Sequence, residues 1–263
     1  MKNDNRTKNG RAKWDNPADT CLPLRGQKPR AWRLVLFGAP GVGKGTQAEF
    51  LKQRLDICHL STGDLFRAAA SQNGSSLSPA MSEAMAYMRR GELVPDSTVW
   101  QMVRERGDCL ECPAGFLLDG FPRTVPQAEQ LQAYMEGEGL ALDGVLDYEM
   151  PMAEIIARLS GRRVCEKCKA VFHITWRPSG TEGICDDCGG RLYQRDDDQP
   201  KSIITRLEVY RHSTAPLVQF YKELGLLVSI DATGSPEDIF ARTMHSLQER
   251  SENLMKQPAG DRV

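Results

Sequence analysis

Arg33-Leu34-Val35-Leu36-Phe37-Gly38-Ala39-Pro40-Gly41-Val42-Gly43-Lys44-Gly45-Thr46-Gln47 is the stretch whose reading decides the fold. A four-residue apolar run, Leu34 to Phe37, meets a glycine-rich loop, and a helical period in Ala48, Phe50, Leu51 and Leu55 follows. Buried strand, loop and helix thus stand in the order that a phosphate-binding loop requires. Gly38, four arbitrary residues and then Gly43-Lys44 is the Walker A spacing. Glycines let successive backbone N–H groups curl round an anion, and the helix N-terminus adds its dipole. Lys44 adds a mobile positive charge. A plain glycine-rich turn would explain the glycines but not the placed lysine. Gly45 occupies the position where most such loops carry the Mg²⁺-binding hydroxyl, with Thr46 one step later, so the metal would be held mainly through phosphates and water.

The 263 residues suffice for one large or two small domains, and 40% hydrophobic residues allow a buried core. Basic and acidic residues balance at 34 against 35, so a global field for nucleic acid or a membrane surface is not implied. No apolar run approaches the roughly 18 residues of a membrane span, and the N-terminus lacks the apolar core of a secretory signal. A soluble, unexported, cytoplasmic protein is expected. Of eight cysteines, Cys165, Cys168, Cys185 and Cys188 form two CxxC pairs sixteen residues apart, which is four-thiolate zinc spacing and points to a reducing compartment. Four thiolates close a tetrahedron and leave no open position, so the metal is structural, and Phe172, His173, Trp176 and Pro178 lie between its two knuckles. The isolated pair Cys109 and Cys112 is read as structural, and Cys21 carries no assignable chemistry.

Residues 1–31 are polar, with Pro17, Pro23 and Pro29 and no regular period, and read as a disordered extension. Asp4, Asp15 and Asp19 argue against a mitochondrial presequence. Ile57 to Leu60 is a second strand, with Cys58 and His59 in the core, and Ser61-Thr62-Gly63-Asp64 caps a helix that presents Arg67 to whatever the loop holds. Ala80 to Arg89 is helical, Arg89 and Arg90 face solvent, and Gly91 to Asp96 turns into another helix. Phe116 to Asp119 is a third strand, ending in Gly120-Phe121-Pro122-Arg123-Thr124. A carboxylate and an arginine at the carboxyl end of a parallel strand lie beside the loop, so Asp119 is placed to hold water round Mg²⁺. Val145 to Tyr148 is a fourth strand and Met152 to Leu159 a helix leading to Arg158 and Arg162. Asp197 and Asp198 hold guanidinium groups, a helix runs from Ser202 to near Leu224, Leu226 to Asp231 is a fifth strand, and Pro236 starts a last amphipathic helix.

Arg67, Arg123, Arg158, Arg162, Arg195 and Arg206 come from several elements and exceed what one triphosphate needs. Two nucleotides donating and accepting a phosphoryl group would need them, since donor, acceptor and moving group must all be neutralised. No covalent intermediate or strong base is called for, because a monophosphate is already anionic at its attacking oxygen. Water must instead be excluded by a mobile cover.

Gly38 to Gln47, Ser61-Thr62-Gly63-Asp64, Gly91-x-Leu93-Val94, Asp119-Gly120-Phe121-Pro122-Arg123-Thr124-x-Pro126-Gln127-Ala128, Gly161-Arg162-Arg163 and Thr214-Ala215-Pro216-Leu217 together resemble adenylate kinase over about residues 33 to 248. The cysteines resemble those of the bacterial-type, zinc-bearing long form. The resemblance implies an α/β fold, a five-stranded parallel sheet flanked by helices. Its core would comprise 32–60, 95–160 and 199–250, with an AMP-binding insertion at 61–94, a zinc lid at 161–198 and a frayed tail at 251–263. It implies reversible, Mg²⁺-dependent transfer from ATP to AMP giving two ADP; a monomer is the default reading, and the charge balance and hydropathy imply no nucleic-acid or membrane partner. Gly38, Ala39, Pro40, Gly41, Val42, Gly43, Lys44, Gly45 and Thr46 would wrap the ATP phosphates. Arg162, Val171 and Phe172 would contact ATP, Arg158 would stack on its adenine, and Gly234 would offer only backbone where the family often has a longer side chain. Thr62, Arg67, Glu92, Leu93, Val94, Gly120, Phe121, Pro122, Arg123 and Gln127 would form the AMP site, Gln127 reading the adenine edge. Arg195 and Arg206 would bridge the two phosphate chains, with Asp197 and Asp198 orienting Arg195. The extension and the residues around Gln72 to Ser78 depart from the family pattern. A UMP or CMP kinase is the nearest alternative, disfavoured by Thr124 and Gln127. A zinc-ribbon nucleic-acid module on a P-loop ATPase is the more distant one, disfavoured by the near-neutral charge.

Overall fold

The computed structural model describes residues 31–71, 77–89, 94–106 and 110–256. The expected extension, apart from residue 31, therefore lies outside the described residues. In chain order the elements are β1 (Trp32–Phe37), α1 (Lys44–Leu55), β2 (Cys58–Ser61), α2 (Thr62–Ser71), α3 (Pro79–Arg89), α4 (Asp96–Arg104), β3 (Gly115–Asp119) and α5 (Val125–Gly137). There follow β4 (Gly144–Glu149), α6 (Met152–Gly161), β5 (Arg162–Cys165), β6 (Val171–His173), β7 (Leu192–Tyr193), α7 (Pro200–Val209), α8 (Pro216–Glu223), β8 (Leu227–Asp231) and α9 (Pro236–Lys256).

Five strands pair in the order β2-β3-β1-β4-β8, every contact parallel. β1 is central and covered on both faces, which is why it reads as a continuous apolar run rather than an alternating one. Alternate residues divide between two cores. Val35 and Phe37 join Phe116, Leu118 and Leu131 beneath α2, α3, α4, α5 and α8. Leu34 and Leu36 join Leu51, Leu159, Ile203 and Leu247 beneath α1, α6, α7 and α9.

The chain moves one way from β1 to β2 and the other way from β3 to β4, so the loops after β1 and β3 open onto a crevice at the carboxyl ends of the strands. The register makes this local: Asp119 pairs with Leu36 on one side and Ser61 on the other, and Phe37 pairs with Asp147. Among the described residues no helix is long and apolar enough to cross a membrane.

β5, β6 and β7 form a separate antiparallel sheet in the order β6-β5-β7. Its core holds Cys165, Phe172, Cys185 and Leu192. Two expectations are corrected in the last third. The single helix from Ser202 to Leu224 is two helices joined by a π turn, Tyr210–Thr214, where Ala215 N donates to Tyr210 O at 2.9 Å. Pro216 has no N–H to continue the ladder and crowds the residue before it, so the helix restarts there. The tail expected to fray from residue 251 is still helical at Lys256.

Candidate functional site

The glycine-rich loop leaves β1 with Gly38 at φ 124°, where a Cβ would come within 2.5 Å of Tyr148 O. Gly43, at φ 103°, turns the chain into α1, and Thr46 N and Gln47 N both donate to its carbonyl. Both positions need the freedom that only glycine has at positive φ. Lys44 folds back over the loop, Nζ donating to Gly38 O at 2.6 Å and Ala39 O at 3.0 Å. Burial pushes its pKa down to about 8, with Arg123 and Arg206 acting in the same direction and Asp119 and Asp147 opposing. Arg158 spans from α6 to Val42 O at 3.4 Å and Gly234 O at 3.1 Å, joining the loop to the segment after β8.

On the other side of β1, Gly120 O gathers Thr62 Oγ1 at 2.9 Å and Arg123 Nε at 2.8 Å. Ser61 Oγ accepts from Asp64 N at 3.2 Å, the cap read from the sequence. Gln127 is 4% exposed, and its Oε1 accepts from Arg123 N at 2.8 Å while Nε2 donates to Asp96 Oδ1 at 2.5 Å. Thr214 Oγ1, on the π turn, donates to Arg123 O at 3.0 Å, so that irregularity places a hydroxyl against the arginine's own backbone. Burial works against ionising Asp119, but His59, Lys44 and Arg123 together hold its carboxyl below the usual range. His59 Nε2 stands 3.9 Å from Asp119 Oδ2, an ion-pair distance rather than a hydrogen bond.

A third group descends from the cysteine-bearing sheet. Arg195 binds Asp197 bidentately at 2.8 and 2.6 Å. Arg162 binds Asp198 likewise at 2.7 and 2.5 Å, and Arg206 reaches both acids at 3.2 Å. The expectation that Asp197 and Asp198 both orient Arg195 is thereby corrected. Asp198 is wholly buried and faces Arg162 and Arg206, because successive residues of the 3₁₀ turn Asp196–Asp198 point in different directions.

Other expected contacts are redistributed. The Phe172 ring is 3% exposed and packs in the small core, whereas Val171 is exposed. Phe121 is buried and stacks on Trp100 with centroids 6.0 Å apart. Val94 packs on the larger core. Glu92, Leu93 and the Arg67 side chain lie outside the described residues. Cys58 is half-buried and disulfide-bonded, a departure from the reduced setting read from the CxxC pairs.

Residue-type reasoning missed two acids. Asp96 was read only as the start of a helix. Asp147, 3% exposed at the end of β4, has its pKa raised to about 6 by burial, with Glu149 adding and Lys44 opposing. An acid inside the apolar run Val145 to Tyr148 was the available signal.

The four sulfurs of Cys165, Cys168, Cys185 and Cys188 lie within 4.8 Å of one another, with Cys165 to Cys188 at 3.4 Å and Cys168 to Cys185 at 3.5 Å. Four Zn–S bonds of about 2.3 Å on a tetrahedron separate sulfurs by a little under 4 Å, so the donor set fits one zinc ion.

A family model described as "Adenylate kinase" matches residues 36–226. Curated relatives with the same name include that of Carboxydothermus hydrogenoformans, 49% identical over 216 residues and covering 82% of this chain and 99% of the relative. That of Streptomyces griseus is 50% identical over 221 residues, covering 84% and 99%. That of Methanocella arvoryzae is 44% identical over 209 residues, covering 80% and 95%.

Proposed function

The chain belongs to the adenylate kinase family, and we propose that it transfers the γ-phosphoryl group of ATP reversibly to AMP, giving two ADP. One observation carries the reading: Arg123 and Arg206, from elements on either side of the crevice, are close enough to act electrostatically on Lys44 of the loop. Cations converging from both sides suit transfer between two phosphate chains, where donor, acceptor and moving group must be neutralised together.

In this reading the backbone of Gly38 to Thr46 wraps the donor phosphates, and Lys44 exchanges its two carbonyl partners for phosphate oxygens and follows the moving group. Arg158 and Gly234 flank the donor base. Thr62, Arg67, Glu92 to Val94, Gly120 to Arg123 and Gln127 take the acceptor. A phosphate oxygen of AMP attacks the γ-phosphorus in line, the bond to the bridging oxygen of ATP breaks, and ADP leaves with that electron pair. No protein nucleophile takes part. Arg162, Arg195 and Arg206 stabilise charge on the equatorial oxygens, and their paired acids hold them in place beforehand, so little reorganisation is needed during transfer.

Magnesium, when bound, supplies further neutralisation on the phosphates, and Asp119, kept ionised at the mouth of β3, would hold its water. Zinc, when bound to the four cysteines, would staple the small sheet. Residues 161–198 then act as a lid and 61–94 as the acceptor-side cover, both excluding water from a γ-phosphate that would otherwise be hydrolysed. We read the enzyme as a cytoplasmic monomer of nucleotide homeostasis.

The test is ADP formation over a panel of monophosphates with Mg-ATP. AMP should be the preferred acceptor, and ATP loss without any acceptor should be far slower. Equal ATP hydrolysis with and without AMP would overturn the proposal.

A further inference from the structure

Asp96, the first residue of α4, closes a ring of hydrogen bonds with the start of α5. Its Oδ1 accepts from Gln127 Nε2 at 2.5 Å and its Oδ2 from Thr124 Oγ1 at 2.9 Å. Thr124 Oγ1 in turn accepts from Gln127 N at 3.3 Å, capping α5. Gln127 Oε1 accepts from Arg123 N at 2.8 Å.

An amide side chain has an acceptor end and a donor end that differ little in shape, so its orientation is set by its partners. Here both partners are unambiguous. A carboxylate only accepts and a backbone N–H only donates. Rotating the Gln127 amide by half a turn would bring Oε1 against the Asp96 carboxylate and Nε2 against the Arg123 N–H. Both contacts would be repulsive.

What remains of Gln127 for a ligand is therefore fixed: one lone pair on Oε1 and one N–H on Nε2. A 6-aminopurine presents an amino donor beside a ring-nitrogen acceptor and matches that pair. A 6-oxopurine presents a carbonyl acceptor where the amino group was, and it meets the lone pair of Oε1. A freely turning amide would serve both bases.

We propose that Asp96 is a specificity-determining positioning residue, which locks the Gln127 amide and so makes the acceptor site favour a 6-aminopurine monophosphate over a 6-oxopurine one. The inference rests on the reading that Gln127 faces the acceptor base, and it adds the residue that decides which base is read.

The test compares kcat/KM for AMP and for inosine monophosphate in the full-length protein and in Asp96→Asn, which keeps the shape but can both donate and accept. The ratio should fall by about tenfold or more, the scale of losing one hydrogen bond to a charged partner. The loss should sit in KM for AMP and leave KM for ATP in place. Asp96→Ala, which removes the acceptor outright, should give the same loss of selectivity. Gln127→Leu supplies the reference. If it raises KM for AMP while both Asp96 variants keep the ratio, or lower both acceptors equally, the lock is overturned and base reading survives. If Gln127→Leu leaves KM for AMP unchanged, base reading falls and the lock falls with it.

Discussion

Lys44 is partly buried where it folds back over the glycine-rich loop, and its pKa of about 8 sets a pH dependence. Below pH 8 the ammonium is charged and, in the proposed reading, attracts ATP; above it, the free protein loses that charge, and binding must pay to restore it. ATP affinity measured calorimetrically without AMP should be flat to about pH 7.5 and then fall, approaching tenfold per pH unit, as uptake of a single proton on binding requires. Lys44→Arg, whose guanidinium stays charged, should remove the fall. At Arg123 the charge is preorganised by Gly120 O. Arg123→Ala should lower kcat by 10²-fold or more, the loss of one fixed charge or donor worth roughly 2.7–4 kcal/mol. At this scale the sequence revealed residue types but not pairings. Lys44, Asp119 and the arginines are legible because motif spacing fixes them. That Asp198 serves Arg162, or that Asp96 ties Gln127, is set by side-chain direction at contacts across 36 and 31 positions, which a linear reading does not contain.

Elements were more legible than pairings wherever periodicity or burial dominates. The three central strands β3, β1 and β4 are apolar because both faces are covered, and the edge strands β2 and β8 were legible as shorter apolar runs. The π turn at Tyr210–Thr214 did not, since the amphipathic pattern runs through it and only Pro216 marks the restart. The strands of the small sheet were hidden for a different reason: two to four residues each, they are held by the cysteine cluster rather than by a hydrophobic period. Cys165→Ser should therefore reduce bound zinc and lower the melting temperature, with metal content by elemental analysis as the check; unchanged zinc would count against this ligand set. Where this element meets α7, Asp198 is buried between Arg162 and Arg206. Asp198→Ala would leave two guanidinium groups without their shared acid, and chemical denaturation should show a loss of about 3 kcal/mol, the low end for breaking a buried pair.

At the scale of the whole molecule, the proposed reading gives donor and acceptor different parts of the chain. The central sheet is buried beneath helices on both faces, while the core of the small sheet is a cluster of four buried apolar or cysteine residues. Local opening costs least where few apolar contacts must be broken, so the small sheet should exchange its amide hydrogens far faster than β1 or β3. If 161–198 closes on the donor and 61–94 on the acceptor, each ligand should slow exchange in its own part. ATP alone should protect the loop and residues 162–198; AMP alone should protect residues 62–71 and 79–89. β1 and β3, already near the global limit, should change only with overall stability. Protection of both covers by either nucleotide alone would mean that they move as one body, and the separate assignment of donor and acceptor covers would then fail even if the chemistry stood.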